Sequence, residues 1–490
     1  MSIQDDDSGS TRLRHRILRA GWWAGGGFLL DKVIAAGQLA ALARILTPVD
    51  FGIMAASAAV LLAMLTLSEL GVDSALIAKE RVTDEDLATA WTLSALRGLV
   101  MAAGIWVLAG MISDLMRMPV LESLLRVHAL ALIVQGVQSP ALAMMMKRLD
   151  LKRRVTLDVV RRSVEATVTV TVAVFYRTVW ALVIGQLAGL VIGCVLSFVV
   201  SPFTPRWSLK SSSVSYFFRY GSRLNITTLC AFGVMTGGEL VVGRVLGAEA
   251  LGFYQVALAI PLLLGARATS LMQQISVPTY ASLQQDRLGV ARVFDLQAGL
   301  VGIAYIPLTV MIGTLAPILV PFVFGPQWIG IVDPLKVLCV YTVCSGYAAV
   351  MASLHYGMGR PDLQMRSWVG QCVLYLAIIV PMTGSLGVLG AALSLTISYI
   401  LGVTLQAMET HRLLGSSSHA TFVSLGRTGI IGLIAGVLLS SIQGEHQVVI
   451  PWTPEIPAML AVGLLGGYLW WIERPRLNAL WNYQAQSARA

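Results

Sequence analysis

The stretch TVWALVIGQLAGLVIGCVLSFVVS, residues 178–201, runs for 24 residues without one charged side chain. A helix rising about 1.5 Å per residue needs roughly 20 residues to cross a hydrocarbon core about 30 Å thick. This stretch is long enough, and it shows no period-two alternation of the kind a barrel strand carries. Runs like it recur through the 490 residues, of which 56% are hydrophobic and only 12% charged. Soluble domains are about a quarter charged. That balance excludes a soluble enzyme, a nucleic-acid binder and a disordered tail protein, and leaves a polytopic membrane protein.

Working outward, six spans are expected at 20–45, 50–72, 86–112, 121–146, 155–176 and 178–201. Six more follow a polar stretch, at 216–243, 249–272, 290–318, 333–357, 367–384 and 386–408. A final pair is expected at 424–441 and 455–472, beyond the polar break between His411 and Thr421. The organisation read from this is a cytoplasmic tail at 1–19, an N-lobe at 20–201 and a cytoplasmic linker at 202–215. A C-lobe at 216–408, a helix pair within 409–472 and a cytoplasmic tail at 473–490 complete it.

Orientation follows from the lysines and arginines of the short loops, which stay on the cytoplasmic side. One set of loops holds Lys79, Arg81, Lys147, Arg148, Lys152, Arg153, Arg154, Arg206, Lys210, Arg287, Arg360, Arg366 and Arg412. The opposite loops hold chiefly Arg117, Arg177 and Arg244. Both termini are therefore expected in the cytoplasm, the N-terminal tail being retained because no cleavable leader precedes the first span. The net charge of +9 is spread over these anchors rather than gathered on a water-facing module, so no nucleic-acid partner is expected. Cys194, Cys230, Cys339, Cys344 and Cys372 all fall in apolar runs and read as small hydrophobes.

The chain also repeats itself. At a constant offset of 200, residues 19–60 align with 219–260 without a gap. The pairs include Arg19 with Arg219, Gly37 with Gly237, Arg44 with Arg244, Leu46 with Leu246 and Gly52 with Gly252. ARILTPVDFG (43–52) against GRVLGAEALG (243–252) is the strongest piece. Shared apolar composition makes Leu and Ala matches cheap, but not Arg and Gly matches at one offset. An offset spanning six helices gives both copies the same orientation. The fold expected is thus an all-α polytopic membrane protein of about 14 transmembrane helices. It would have two six-helix lobes related by a pseudo-twofold axis along the membrane normal, plus a C-terminal helix pair.

Several stretches also carry a family resemblance: LARILTPVDFGIMAAS (42–57), SELGVDSALIAK (68–79), VVGRVLGAEALGFYQVALAI (241–260), QQISVPTYASLQQD (273–286) and VFGPQWIGI (323–331). In this order they resemble the bacterial polysaccharide or lipopolysaccharide biosynthesis flippases of the multidrug/oligosaccharidyl-lipid/polysaccharide superfamily. The resemblance implies two lobes around a central cavity in the bacterial inner membrane. It also implies undecaprenyl-diphosphate-linked oligosaccharides as substrate, moved to the outer leaflet, with membrane lipids, a polysaccharide polymerase and export machinery as partners.

Ionisable residues inside spans are costly, about 2.5–3.5 kcal/mol each by insertion scales, and so point to function or to a partner. Asp31 and Lys32 are adjacent, about 100° apart around the first helix, and cannot both face lipid cheaply. They read either as interhelical salt bridges or as a cavity-lining pair. Arg97 sits deep in the third span, and Glu69 near the inner end of the second. Arg219 and Arg223 share a helix face, with Tyr220 and Asn225 beside them. They are either cytoplasmic anchors or a fork for a diphosphate, which guanidinium suits. Arg267 is a further cavity candidate, and Glu239 could balance an arginine or carry a coupling proton. Lys32, Arg97, Arg219, Tyr220, Arg223, Asn225 and Arg267 are thus the candidate substrate contacts, and Asp31, Glu69 and Glu239 the coupling or balancing groups. Arg44 and Arg244 read as structural, satisfying carbonyls at helix C-termini. His128 and His355 read as helix-to-helix hydrogen bonds.

No phosphate-binding loop, metal-ligand spacing or nucleophile elbow occurs, so neither ATP hydrolysis nor a bound cofactor nor an enzymatic role is expected. Energy would come from a proton or sodium gradient, or from downstream use of the substrate. Three other functions compete: a cation-coupled exporter of small amphipathic compounds, a membrane polymerase or ligase on the same lipid-linked sugar, and a non-transporting scaffold. The first should favour acidic cavity groups, whereas the charges here lean basic; the second should need larger outer loops.

Overall fold

The structure, a computed structural model, describes residues 26–27, 30–68, 72–79, 82–147, 151–211, 213–215 and 225–415. These residues are helical with no strand among them, as water-free surroundings demand of a chain that must satisfy every backbone group internally. Among them are eight helices long and apolar enough to cross a membrane. The expected spans at 424–441 and 455–472 lie outside the described residues.

The helices begin where local chemistry places them. Helix α1 covers 30–45. Helix α2, Pro48–Leu67, opens on a capping box in which Thr47 N donates to Asp50 Oδ2 (3.0 Å) and Asp50 N to Thr47 Oγ1 (3.4 Å), with Pro48 in the first turn. Helix α3 is the short Val72–Ala78, and α4 is Asp84–Met116. A second capping box, Thr83 with Asp86, starts α4, which stops at Arg117 in the left-handed conformation (φ 56°). The expected fourth span is broken into α5 (Pro119–His128), α6 (Leu130–Gly136) and α7 (Leu142–Lys147). Pro140, which has no N–H to give a helix, lies in the second break. Helices α8 (Leu151–Tyr176) and α9 (Trp180–Val200) form a hairpin turning at Arg177.

Expected span seven is likewise interrupted: α10 (Asn225–Met235) and α11 (Gly237–Leu246) are separated at Thr236, beside the Gly237–Gly238 pair. Helices α12 (Ala248–Ser282) and α13 (Arg287–Val323) follow, then a 3-10 turn at Pro326–Ile331 and α14 (Val332–Gly357). Helix α15, Pro361–Leu414, runs through expected spans eleven and twelve. Gly387 (φ 63°, ψ −140°) divides it sharply, so the two expected spans meet without an intervening loop.

The chain forms two compact units, Met1–Phe232 with Gly247–Gly252, and Gly233–Leu246 with Phe253–Ala490. Lipid tails are as apolar as leucine, so close backbone approach and hydrogen bonds hold membrane helices together more than apolar burial does. The first unit shows both. Along α9, Gly185, Gly189 and Gly193 face Thr169, Glu165 and Arg161 of α8, and a Cβ on any of the three would come within 2.8 Å of its partner. Gly98 of α4 and Gly136 of α6 face each other in the same way. Fully buried His128 pairs with Ser57 across α5 and α2 (2.8 Å), the helix-to-helix bond expected of it.

The polar linker is docked, not free. Its backbone N–H groups at Ser208 and Lys210 donate to the hydroxyls of Thr92 (3.0 Å) and Thr89 (3.3 Å) on α4. Trp207 stands edge-on to Trp91 with ring centroids 5.1 Å apart. Lys210 Nζ meets Glu85 Oε2 at 2.5 Å, and that bond raises the lysine above its ordinary pKa. Asp86, buried at the start of α4, accepts from Lys79 (2.7 Å), Ser213 (2.7 Å) and Thr83.

In the second unit, Tyr280, Phe294, Val301, Val350, Met351 and Leu354 make a core joining α12, α13 and α14. Tyr280 donates to Gln297 (2.9 Å), and buried His355 pairs with Thr410 (3.1 Å). By contrast Phe175, Val107, Phe322 and Val373 are 65–77% exposed, apolar surface that suits lipid rather than water.

Candidate functional site

The structure gathers charge in the first unit. Asp31 and Lys32 lie half-buried on α1, and Asp31 interacts electrostatically with Glu165 of α8. Glu165 is bonded to Arg162 (2.8 Å) and lies near Arg161. Arg161, Arg162 and Glu165 lie inside the expected fifth span, 155–176, and were not singled out in sequence. The signal that could have found them is on the neighbouring helix: glycines four apart at 185, 189 and 193 make a groove, and the bulky charged stems of Arg161 and Glu165 fill it. Asp31 and Glu165 are like charges that repel each other, and Lys32 has a partner of its own.

Arg97 of α4 is different. It is half-buried in the apolar middle of its helix, and no hydrogen bond or ion pair to it occurs among the described residues. A guanidinium in that position presents its five donors to whatever polar group enters beside it.

In the second unit, Glu239 sits in the first turn of α11, where a carboxylate complements the positive end of a helix. It interacts with the phenols of Tyr254 and Tyr375, both fully buried. Gly238 makes room for this: a Cβ there would lie 1.8 Å from Tyr375 Oη. Interrupted helices of this kind are where membrane proteins build polar sites. The same unit contains a cavity of about 390 Å³ between α12, α14 and α15, lined by glutamine, tyrosine and tryptophan side chains that sequence reading did not single out.

Glu69, Arg219, Tyr220 and Arg223 lie outside the described residues. Asn225 opens α10 and Arg267 is carried on α12, but their side chains also fall outside. Arg126 and Lys336 are held locally by Glu122 (2.6 Å) and Asp333 (3.3 Å).

Comparison with known proteins agrees with the resemblance seen in the motifs. Residues 41–333, more than half of the chain, match the family described as "Polysaccharide biosynthesis protein". The lipopolysaccharide biosynthesis protein WzxC of Escherichia coli (strain K12) is 24% identical over 419 residues, 84% of this chain and 85% of that protein. The succinoglycan biosynthesis transport protein ExoT of Rhizobium meliloti (strain 1021) is 22% identical over 287 residues, 59% of this chain and 58% of that protein. Among solved structures, the lipid II flippase MurJ in an inward closed conformation superposes with a TM-score of 0.76 at 11% identity, over 94% of this chain and all of that one. At that identity the likeness speaks to the fold. The chain is a multi-pass helical membrane protein with a MurJ-like fold, and it belongs to the polysaccharide biosynthesis protein family.

Proposed function

We propose that this protein is a flippase rather than an enzyme. It moves undecaprenyl-diphosphate-linked oligosaccharide repeat units from the cytoplasmic to the outer leaflet of the bacterial inner membrane, for surface polysaccharide synthesis. The observation that carries the reading is Arg97, a half-buried guanidinium in an apolar helix with no protein anion on it among the described residues. Lys32, Arg161 and Arg162, also in the first unit, add to its basic character. A diphosphate carries the charge and the acceptor oxygens that such groups bind best. WzxC and ExoT are by name proteins of lipopolysaccharide biosynthesis and of succinoglycan biosynthesis transport, and MurJ is a lipid II flippase. The polyprenyl tail would stay in lipid while the lobes rock to alternate access, with kinks at Gly387 and at the in-helix prolines Pro261, Pro307 and Pro381 as pivots. Glu239 would take up a coupling proton, and Arg219, Tyr220, Arg223, Asn225 and Arg267 are proposed contacts for the headgroup. Membrane lipids, a polymerase and export machinery are the partners this role requires.

Proteoliposomes loaded with the lipid-linked repeat unit test the reading. Without protein, an external glycosidase should reach only the outer-leaflet half. With protein, the protected half should become accessible over time. An unchanged protected fraction would reject the proposal.

A further inference from the structure

The cavity in the second unit has an unusual lining. Gln364, Gln371 and Gln406 are each 4% exposed or less, and each leaves one amide atom without a hydrogen-bond partner: Gln364 Oε1, Gln371 Nε2 and Gln406 Oε1. All three side chains line the same space of about 390 Å³. The wall between them is aromatic. Tyr341 and Tyr399 stand edge to face at 4.6 Å, and Trp368 meets Tyr399 in the same way at 6.3 Å. Among the described lining residues there is no acid, base or histidine.

Buried amides of this kind are almost always satisfied, and an unpartnered set marks a site awaiting a polar occupant. No charged group among the described lining residues would pair with a diphosphate, which is costly to bury unpaired. An acyl or prenyl chain would leave the three amides unsatisfied. Water could satisfy them, since a cavity of this size holds about a dozen molecules at roughly 30 Å³ each. Water has no use for the aromatic wall, however. An occupant matching both features needs neutral groups that donate and accept at once, and apolar C–H faces between them. A sugar ring has that combination, and the volume lies within the range of about 300–1,000 Å³ usual for small-ligand sites. The three amides also come from well-separated turns, Gln364 and Gln371 before the Gly387 kink and Gln406 after it, so they can reach different hydroxyls.

We infer that this glutamine–aromatic cavity is a sugar subsite, holding one uncharged saccharide residue of the transported lipid-linked oligosaccharide. The inference rests on the flippase reading above.

The test uses full-length protein in phospholipid nanodiscs and two probes. One is the undecaprenyl-diphosphate oligosaccharide that accumulates in cells lacking the gene, and the other is undecaprenyl diphosphate without sugar. Gln371→Leu and Gln406→Leu should each weaken binding of the sugar-bearing lipid by about tenfold or more, the cost of one unmet buried hydrogen bond. Binding of the bare lipid should change by less than about twofold, within the effect of an ordinary side-chain replacement. Trp368→Leu, at a half-buried position, should show the same split and serves if a glutamine variant does not fold. Equal losses for both lipids, or no loss for either, would overturn the sugar subsite while leaving the flippase reading intact. Wild-type protein that binds neither lipid would overturn both.

Discussion

Gly52 of α2 and Gly252 of α12 meet face to face within the first unit: a Cβ on Gly52 would lie 1.7 Å from Ala248 O, and one on Gly252 would lie 1.8 Å from Pro48 O. The contact is reciprocal in the numbering of the repeat, since 48 and 52 correspond to 248 and 252 at the offset of 200. Two copies of one helix start therefore pack on each other through the residue they share. Elsewhere the repeated glycines have no such duty; Gly37 and Gly237 have nothing within 4 Å of a built Cβ.

Gly52→Ala and Gly252→Ala should each destabilise the protein by about 1–3 kcal/mol, because the obstructing atoms are backbone and cannot turn aside. Gly37→Ala should be neutral or stabilising, by up to about 1 kcal/mol, as alanine replaces glycine in an open helix. Thermal unfolding in nanodiscs would separate the two cases. Equal melting temperatures for all three variants would show that the helix starts do not touch.

The α8–α9 groove makes a graded prediction. Gly189→Val would drive side-chain atoms into Glu165 Cβ, 2.7 Å from a built Cβ and close to its own backbone, and should cost about 1–3 kcal/mol. Gly193→Ala meets Arg161 Cδ at 2.8 Å, the far part of a flexible chain that can shift, and should cost less. The same melting experiment would rank them, and the reverse order would contradict the packing described.

How much of this was legible beforehand varies by element. The span at 178–201 and the paired helix starts at 43–52 and 243–252 could be read directly, because a missing charge and a shared glycine are visible in one dimension. The breaks at Thr236 and at Ala129 were not, since apolar composition continues across them, whereas the break at 137–141 is marked in sequence by Pro140. Arg161 and Arg162 fall inside the expected span 155–176 but were not singled out among its residues. Their separate role follows from glycines on the next helix. Gln364, Gln371 and Gln406 escaped notice because a lone amide in a span usually bonds a neighbouring helix, and only folding at Gly387 brings the third beside the first two.

Asp86 anchors three elements at once, through Lys79, Ser213 and the Thr83 cap. Asp86→Asn keeps the size but loses the charge-assisted bonds, and should cost about 2 kcal/mol. Ser213→Ala should cost about 1 kcal/mol and loosen the linker selectively. Faster proteolysis near residues 202–211 in the second variant, with α4 unaffected, is the expected readout. Unaltered cleavage in both would show that the linker is not held there.

Arg97→Ala should fold normally, as no partner among the described residues is lost, yet reduce flipping in proteoliposomes by about tenfold or more, the worth of one charge-assisted hydrogen bond to phosphate. Arg97→Lys should recover part of the rate, since it restores the charge without the planar fork. Full activity in the alanine variant would remove Arg97 from the diphosphate site.

The central claim is tested most directly in cells lacking the gene, by locating the accumulated lipid-linked repeat unit with an enzyme that cannot enter intact spheroplasts. The flippase reading predicts single repeat units confined to the cytoplasmic face, inaccessible until the membrane is opened, and released to the outer face when the wild-type gene is restored. Repeat units already exposed on the outer face but left unpolymerised would contradict it and point to a role after translocation.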